Sequence, residues 1–463
     1  MSDASFDTLR TPKLSLIDSM KKVFSVIMPS NKGTNEIAAL DGLRALAVLL
    51  VVWLHVASFA VDAGAAQPPF ILAQAAWFGG GYGVFLFFNL SGFLLFLPYA
   101  RAISTGRPLP SIGKFYLRRV LRILPLYYAV IFLLIFLKEP QYLEPANRIP
   151  LLFNLFMIGD FRYDSFGAIS TQFWTLSIEF QFYLLLPFIA WGIAKLAGRK
   201  MTKWAYLRIG IGVSLLIVYG LVIRGIVNYY HYVKHFDLIG GKGIKKYITA
   251  LLYGVDGKFI EIFALGIGIS FLYVWAVEQK HLSVQSRNII GIIALLLALI
   301  SAVSAAYIQS LFTLKYIWAV DMSWQNFGSW GIGCCCAILL ISVLFSPAII
   351  QSIWSVYPLR FIGLISYGIY LWHFPLLETI SPLVIPGHLN TALIRLWLSG
   401  VSISILFASA TYYLIEKPFL SLRVGLRGNT NARVSEGIGK VQDMQTVKRP
   451  AVIMPIQDEV KVL

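Results

Sequence analysis

Two residues of very different chemistry, Arg44 and His55, stand eleven positions apart inside the apolar run from Leu40 to Ala60. In a helix they are separated by three turns plus ~20°, so they share one face about 16 Å apart along the axis. A guanidinium in hydrocarbon costs about 2.5–3.5 kcal/mol on insertion scales, and a neutral imidazole near its reference pKa of ~6.5 can take a proton from a hydroxyl. Spacing alone is equally compatible with Arg44 snorkelling to the headgroups and His55 making an interhelical hydrogen bond.

Three further groups carry chemistry. Arg118, Arg119 and Arg122 fall within about one helical turn in Tyr116-Leu-Arg-Arg-Val-Leu-Arg-Ile-Leu-Pro-Leu-Tyr127. Arg118 and Arg122 are neighbours at i, i+4, and Arg119 and Arg122 at i, i+3. Placed at a helix N-terminus they oppose the macrodipole, and an anionic ligand such as a phosphate would relieve that strain. Anchoring to lipid phosphates is the alternative. Glu179, flanked by Ser177 and Gln181, lies in Trp174-Thr-Leu-Ser-Ile-Glu179, where a carboxylate must be paired, protonated or functional. His373 ends Ser366-Tyr-Gly-Ile-Tyr-Leu-Trp-His373, as either a core histidine bonded to a carbonyl or a reactive one.

These residues need membrane helices to position them. With 58% hydrophobic and 13% charged residues and a mean hydropathy of +0.72, the 463-residue chain is too apolar for a soluble domain. An all-α polytopic membrane protein, integral to the cell membrane, is expected. Windows of about 20 apolar residues fall near 40–60, 77–99, 120–137, 173–196, 207–227, 258–277, 288–308, 327–346, 361–379 and 393–415, giving about ten spans. Leu151 to Gly159 is too short to cross and is expected at the interface. The net charge of +17 comes from Lys and Arg scattered through short loops. It fits the positive-inside rule, with both termini cytoplasmic, rather than nucleic-acid binding. Residues 1–36 read as a cytoplasmic N-terminal segment, 37–420 as the transmembrane unit, and 421–463 as a disordered cytoplasmic tail. Cys334, Cys335 and Cys336 are contiguous and suit packing rather than a disulfide or metal site. On this topology His55, Glu179 and His373 occupy the outer half of the membrane and the arginine cluster its inner surface.

The ordered blocks Leu40-Asp-Gly-Leu-Arg44 with His55, Phe88-Asn-Leu-Ser91-Gly-Phe-Leu, Arg118-Arg-Val-Leu-Arg122, Trp174 to Glu179 with Phe182-Tyr, Ser366 to His373 and Ile415-Glu-Lys-Pro418 resemble the acyltransferase-3 family of integral membrane O-acyltransferases. The resemblance implies a ten-helix fold that transfers an acyl group, commonly acetyl from cytoplasmic acetyl-CoA, to a hydroxyl of a carbohydrate or lipid-linked glycan at the outer side. It implies that Arg44 and His55 form an essential motif, that Arg118, Arg119 and Arg122 bind the donor, and that Glu179 and His373 belong to the catalytic region. Many glycan-modifying members carry a hydrolase-like domain after the membrane unit, which is not recognisable in this sequence.

The expected mechanism has acyl-CoA phosphates on the three arginines and His55 as general base. Arg44 would position the thioester or a phosphate, and Glu179 would orient His55 or stabilise its imidazolium. His373, Tyr367 or backbone amides near Ser91 would meet the developing oxyanion. An acyl-histidine route through His55 stays open. No permanently bound cofactor, metal or nucleic acid is expected; acyl-CoA is a substrate. The competing class is a secondary transporter or a lipid or glycan flippase, since buried charges in a ten-span bundle also suit translocation.

Overall fold

The computed structural model describes residues 37–62, 81–198, 200–234, 237–238, 240, 243–313, 318–384 and 389–422. The N-terminal segment 1–36 and the tail from 423 onward lie outside these. Every long element among the described residues is a helix, as the lack of backbone partners in hydrocarbon requires. In chain order they are α1 (Ala39–Asp62), α2 (Tyr82–Ser104), α3 (Ile112–Leu137), the short α4 (Arg148–Leu155), α5 (Phe173–Ala197), α6 (Lys203–Asn228), α7 (Ile244–Leu252), α8 (Ile260–Tyr273), α9 (Val284–Thr313), α10 (Trp318–Phe345), α11 (Ala348–Trp354), α12 (Tyr357–Leu364), α13 (Ser366–Val384) and α14 (Leu389–Thr411). Wide π-helical turns extend α6, α8 and α14 through Val233, Glu278 and Glu416.

Among the described residues nine helices are long and apolar enough to cross a membrane: α1, α2, α3, α5, α6, α8, α9, α10 and α14 with their extensions. The chain is therefore an integral, multi-pass membrane protein. The window at 361–379 differs from its expected form: the chain breaks after α12, and α13 starts only at Ser366. That helix is of crossing length at 19 residues but less apolar, because Tyr367, Tyr370, His373 and Glu378 interrupt it. The stretch at 151–159 does not cross, since α4 ends after eight residues.

The centre of the bundle is α2, packed on α1, α5, α8 and α10, while α13 and α14 close around α1. Lipid offers no hydrophobic drive between helices, so association rests on close packing and polar contacts. Gly92 on α2 lies so near α8 that a Cβ there would stand 2.2 Å from the Phe263 carbonyl oxygen, and one on Gly266 would stand 2.2 Å from that of Asn89. Gly92→Ala is therefore expected to cost about 1–3 kcal/mol by overpacking, read as a lower thermal-unfolding midpoint of the detergent-solubilised protein; an unchanged midpoint would contradict this packing. On α5 the residues Leu184, Leu185, Phe188 and Trp191 are exposed, whereas Phe182, Tyr183, Leu186, Ala190 and Ile193 are buried, which separates a lipid face from a bundle face.

Two polar devices fix α5. At its start, Gln172 Nε2 donates to the Leu371 carbonyl at 3.0 Å, and Thr175 and Tyr370 share a hydroxyl-hydroxyl hydrogen bond, tying it to α13. Two residues beyond Glu179, Gln181 donates to Asp160 at 2.6 Å and accepts from Lys258 Nζ at 2.7 Å, while Lys258 also pairs with Asp160. The Asp160 side chain is 1% exposed, so its charge is tolerated inside the bundle only through this network.

Candidate functional site

A cavity among α1, α2, α3, α5 and α13 contains about 960 Å³ of atom-free space, counting its open mouth. Its polar lining consists of Arg44, Arg119, Arg122, Ser91, Glu179 and Tyr183, with Thr175, Ser366, Tyr367 and Tyr370. Phe87, Phe88, Leu90, Leu94, Leu95 and Ile123 supply apolar wall. One side is thus cationic and hydrogen-bonding, and the other suits an alkyl chain.

The arginines divide in a way that corrects the sequence reading. α3 begins at Ile112, so Arg118 is already two turns inside the helix, beyond the first turn where the macrodipole acts. Arg119 and Arg122 line the cavity; Arg118 does not, and its charge acts on Tyr99 instead. The buried stripe of α3 runs through Phe115, Ile123, Leu126, Tyr127 and Val130, which at helical spacing carries Arg119 and Arg122 inward. Arg122 is further committed: its NH1 donates to Glu416 at 2.9 Å, and its guanidinium lies 6.0 Å from the Tyr367 ring centroid. Tyr367 in turn donates to the Ile123 carbonyl at 2.8 Å, tying α13 to α3. Arg44 reaches the same cavity from α1 and is oriented by Asp41 at 3.0 Å.

Glu179 departs from its expected place. Its carboxylate accepts a hydrogen bond from Ser91 Oγ and one from the Tyr183 hydroxyl, and it faces the charges of Arg119 and Arg44. It belongs with the arginines in one cavity rather than beside His55, because a carboxylate inside the bundle needs cations and donors and this wall supplies both. Tyr183, one turn on at i+4, touches both Glu179 and Ser91. The sequence signal for it was the shared face alone.

The histidines form a second cluster. His55 and His373 have ring centroids 5.2 Å apart, and the edge-on ring of Phe374 lies 5.0 Å from His55. His373 is fully buried, and its Nδ1 lies 2.7 Å from the Tyr370 carbonyl and 3.2 Å from that of Ile369. Carbonyls only accept, so Nδ1 carries the proton and Nε2 holds a lone pair, which has no hydrogen-bond partner among the described residues. His55 is half-buried and accessible. Tyr370 joins the two clusters: its ring is 5.6 Å from that of His373, and it lines the arginine cavity. Arg44 and His55, on one helix, therefore serve adjoining sites.

Residues 37–413 match the family described as an acyltransferase domain. Among similar proteins are YrhL of Bacillus subtilis (strain 168), provisionally named a peptidoglycan O-acetyltransferase, 28% identical over 82% of this chain and 54% of its own length; the peptidoglycan O-acetyltransferase OatA of Listeria monocytogenes, 26% identical over 85% and 56%; and the O-acetyltransferase OatA of Staphylococcus aureus, 25% identical over 82% and 56%. The chain spans about half the length of these curated relatives. No solved structure gives a significant match. With the match extending from two residues before α1 to two residues past the end of α14, the chain belongs to the acyltransferase-3 family of acyltransferase domains.

Proposed function

We propose that this protein is a membrane O-acyltransferase that moves an acyl group, acetyl in the first instance, from acyl-CoA to a hydroxyl of a carbohydrate or glycan. The observation that carries the reading is the contact, through Tyr370, between an arginine-lined cavity and a pair of histidines. The first suits a phosphorylated thioester, because guanidinium forks match phosphate oxygens. The second suits a hydroxyl acceptor, because a neutral imidazole takes its proton. The names of the relatives point to peptidoglycan as the class of acceptor.

In this reading the phosphates of acyl-CoA dock at Arg119 and Arg122, with Arg44 toward the thioester, and the apolar wall takes the pantetheine arm. His55 is the general base on the acceptor hydroxyl. The lone pair on Nε2 of His373, whose ring lies 5.2 Å from that of His55, is the acceptor available to share the charge of His55 once it is protonated. The donor enters from the cytoplasm, where acyl-CoA resides, and the acceptor lies toward the outer surface.

Deleting the protein from its cell and examining surface glycans and lipids by mass spectrometry tests the reading. The expected result is the loss of one ester-linked acyl group from a surface glycan. Unchanged acylation, together with proton-coupled uptake by the purified protein and no consumption of acetyl-CoA, would establish the transporter instead.

A further inference from the structure

We propose that Ser91 is a covalent relay for the acyl group, with Glu179 as its general base. The proposal deepens the acyltransferase reading and rests on it. Several serines inside these helices return their hydroxyls to their own backbone one turn back: Ser58 to Leu54, Ser177 to Phe173, Ser399 to Arg395 and Ser409 to Ile405. That is the ordinary way to satisfy a hydroxyl in an apolar helix. Ser91 instead crosses to α5 and donates to the Glu179 carboxylate. A hydroxyl nucleophile and a base within hydrogen-bond reach is the arrangement that activates serine.

Position supports the assignment. Ser91 is half-buried and lines the cavity together with Arg44 and Arg119, whereas His55 is not among the lining residues and adjoins the cavity only through His373, whose ring packs against Tyr370. A thioester whose phosphates are held by the arginines therefore meets Ser91 before it meets His55. The close approach of Gly92 to the Phe263 carbonyl holds the α2 backbone beside Ser91 against α8, which presents Oγ on a rigid element. The Tyr183 hydroxyl, in reach of both members of the pair, and the guanidinium of Arg119 are the groups available to the oxyanion.

The transfer balances in two steps. Ser91 Oγ attacks the thioester carbonyl, its proton passes to Glu179, and the carbon–sulfur bond breaks; CoA leaves as a thiolate beside the arginines and takes a proton in water. The acyl group is now an ester of Ser91 and Glu179 is neutral. The acceptor hydroxyl then gives its proton to His55 and attacks the ester carbonyl; the carbon–Oγ bond breaks and Glu179 returns its proton to Ser91. His55 releases its proton to water, which matches the one taken by CoA.

Such a relay exchanges CoA without any acceptor. The full-length protein, reconstituted in lipid nanodiscs, is incubated with acetyl-CoA and isotopically labelled CoA, and label entering acetyl-CoA is measured; in parallel, protein treated with acetyl-CoA is digested and mapped by mass spectrometry. The expected result is exchange by the unmodified protein, an acetyl group on the peptide bearing Ser91, exchange at background in Ser91→Ala, and exchange lowered about 10²–10⁴-fold in Glu179→Gln with acetyl-CoA affinity retained. The glutamine keeps the shape of the site, and peptide mapping needs no variant, so a misfolded Ser91→Ala leaves the proposal open to refutation. Exchange persisting in Ser91→Ala, or an acetyl group on His55, overturns the relay. So does unmodified protein that binds acetyl-CoA and acylates an acceptor without exchange, which leaves the acyltransferase reading standing. Failure to bind acetyl-CoA at all removes both.

Discussion

His55→Ala is expected to lower acyl transfer to the acceptor by about 10²–10⁴-fold, the usual contribution of a positioned general base. The expectation rests on the division between the two histidines. His373 is fully buried with Nδ1 bound to backbone carbonyls, so it is a fixed support. His55 is accessible, has that support 5.2 Å away ring to ring, and is therefore the histidine an acceptor can approach. Alanine removes ring contacts with His373 and Phe374 but no hydrogen bond to another described residue, so the variant should stay folded and continue to bind acetyl-CoA. Transfer is measured with the reconstituted protein, labelled acetyl-CoA and a glycan acceptor, with donor affinity followed in parallel. Near-normal transfer in His55→Ala would eliminate it as the base. A loss of both transfer and donor affinity would assign His55 to folding or donor binding instead.

The same residues show how far the sequence could be read. The membrane spans were legible because twenty consecutive apolar residues have few other uses, and α1, α5 and α6 begin and end close to their expected limits. The start of α3 was not, since Ile112 to Arg119 mixes Lys114 and two arginines into a helix that hydropathy alone does not detect. Arg44 and His55 on one face followed from helical periodicity. The pairing of Ser91 with Glu179 across 88 residues, and the placing of Glu179 among arginines, depend on which helices touch. No local pattern encodes that choice; it is set by close contacts such as Gly92 on Phe263 and the latch between Thr175 and Tyr370.

Arg119→Ala is expected to weaken acetyl-CoA binding roughly tenfold to 150-fold, the loss of one charge-assisted interaction worth about 1.5–3 kcal/mol. Arg118→Ala should change it little. The contrast follows from adjacent residues on one helix turned ~100° apart: Arg119 lines the cavity and acts on Glu179, while Arg118 lies outside it near Tyr99. Both variants remove one positive charge, so long-range attraction for the anionic donor falls equally, and raising the salt concentration screens what remains of that component. A difference that survives at high salt is local contact. Arg119→Lys should recover only part of the affinity, because an ammonium replaces the charge without the fork that engages two phosphate oxygens. Arg122→Ala is a poorer test, since it strips the partner from Glu416, whose side chain is 1% exposed, and breaking such a pair costs stability by itself. Isothermal titration of the purified variants with acetyl-CoA at two salt concentrations measures all of this. Equal weakening by Arg118→Ala and Arg119→Ala at high salt would show that the cavity is not where the donor phosphates sit.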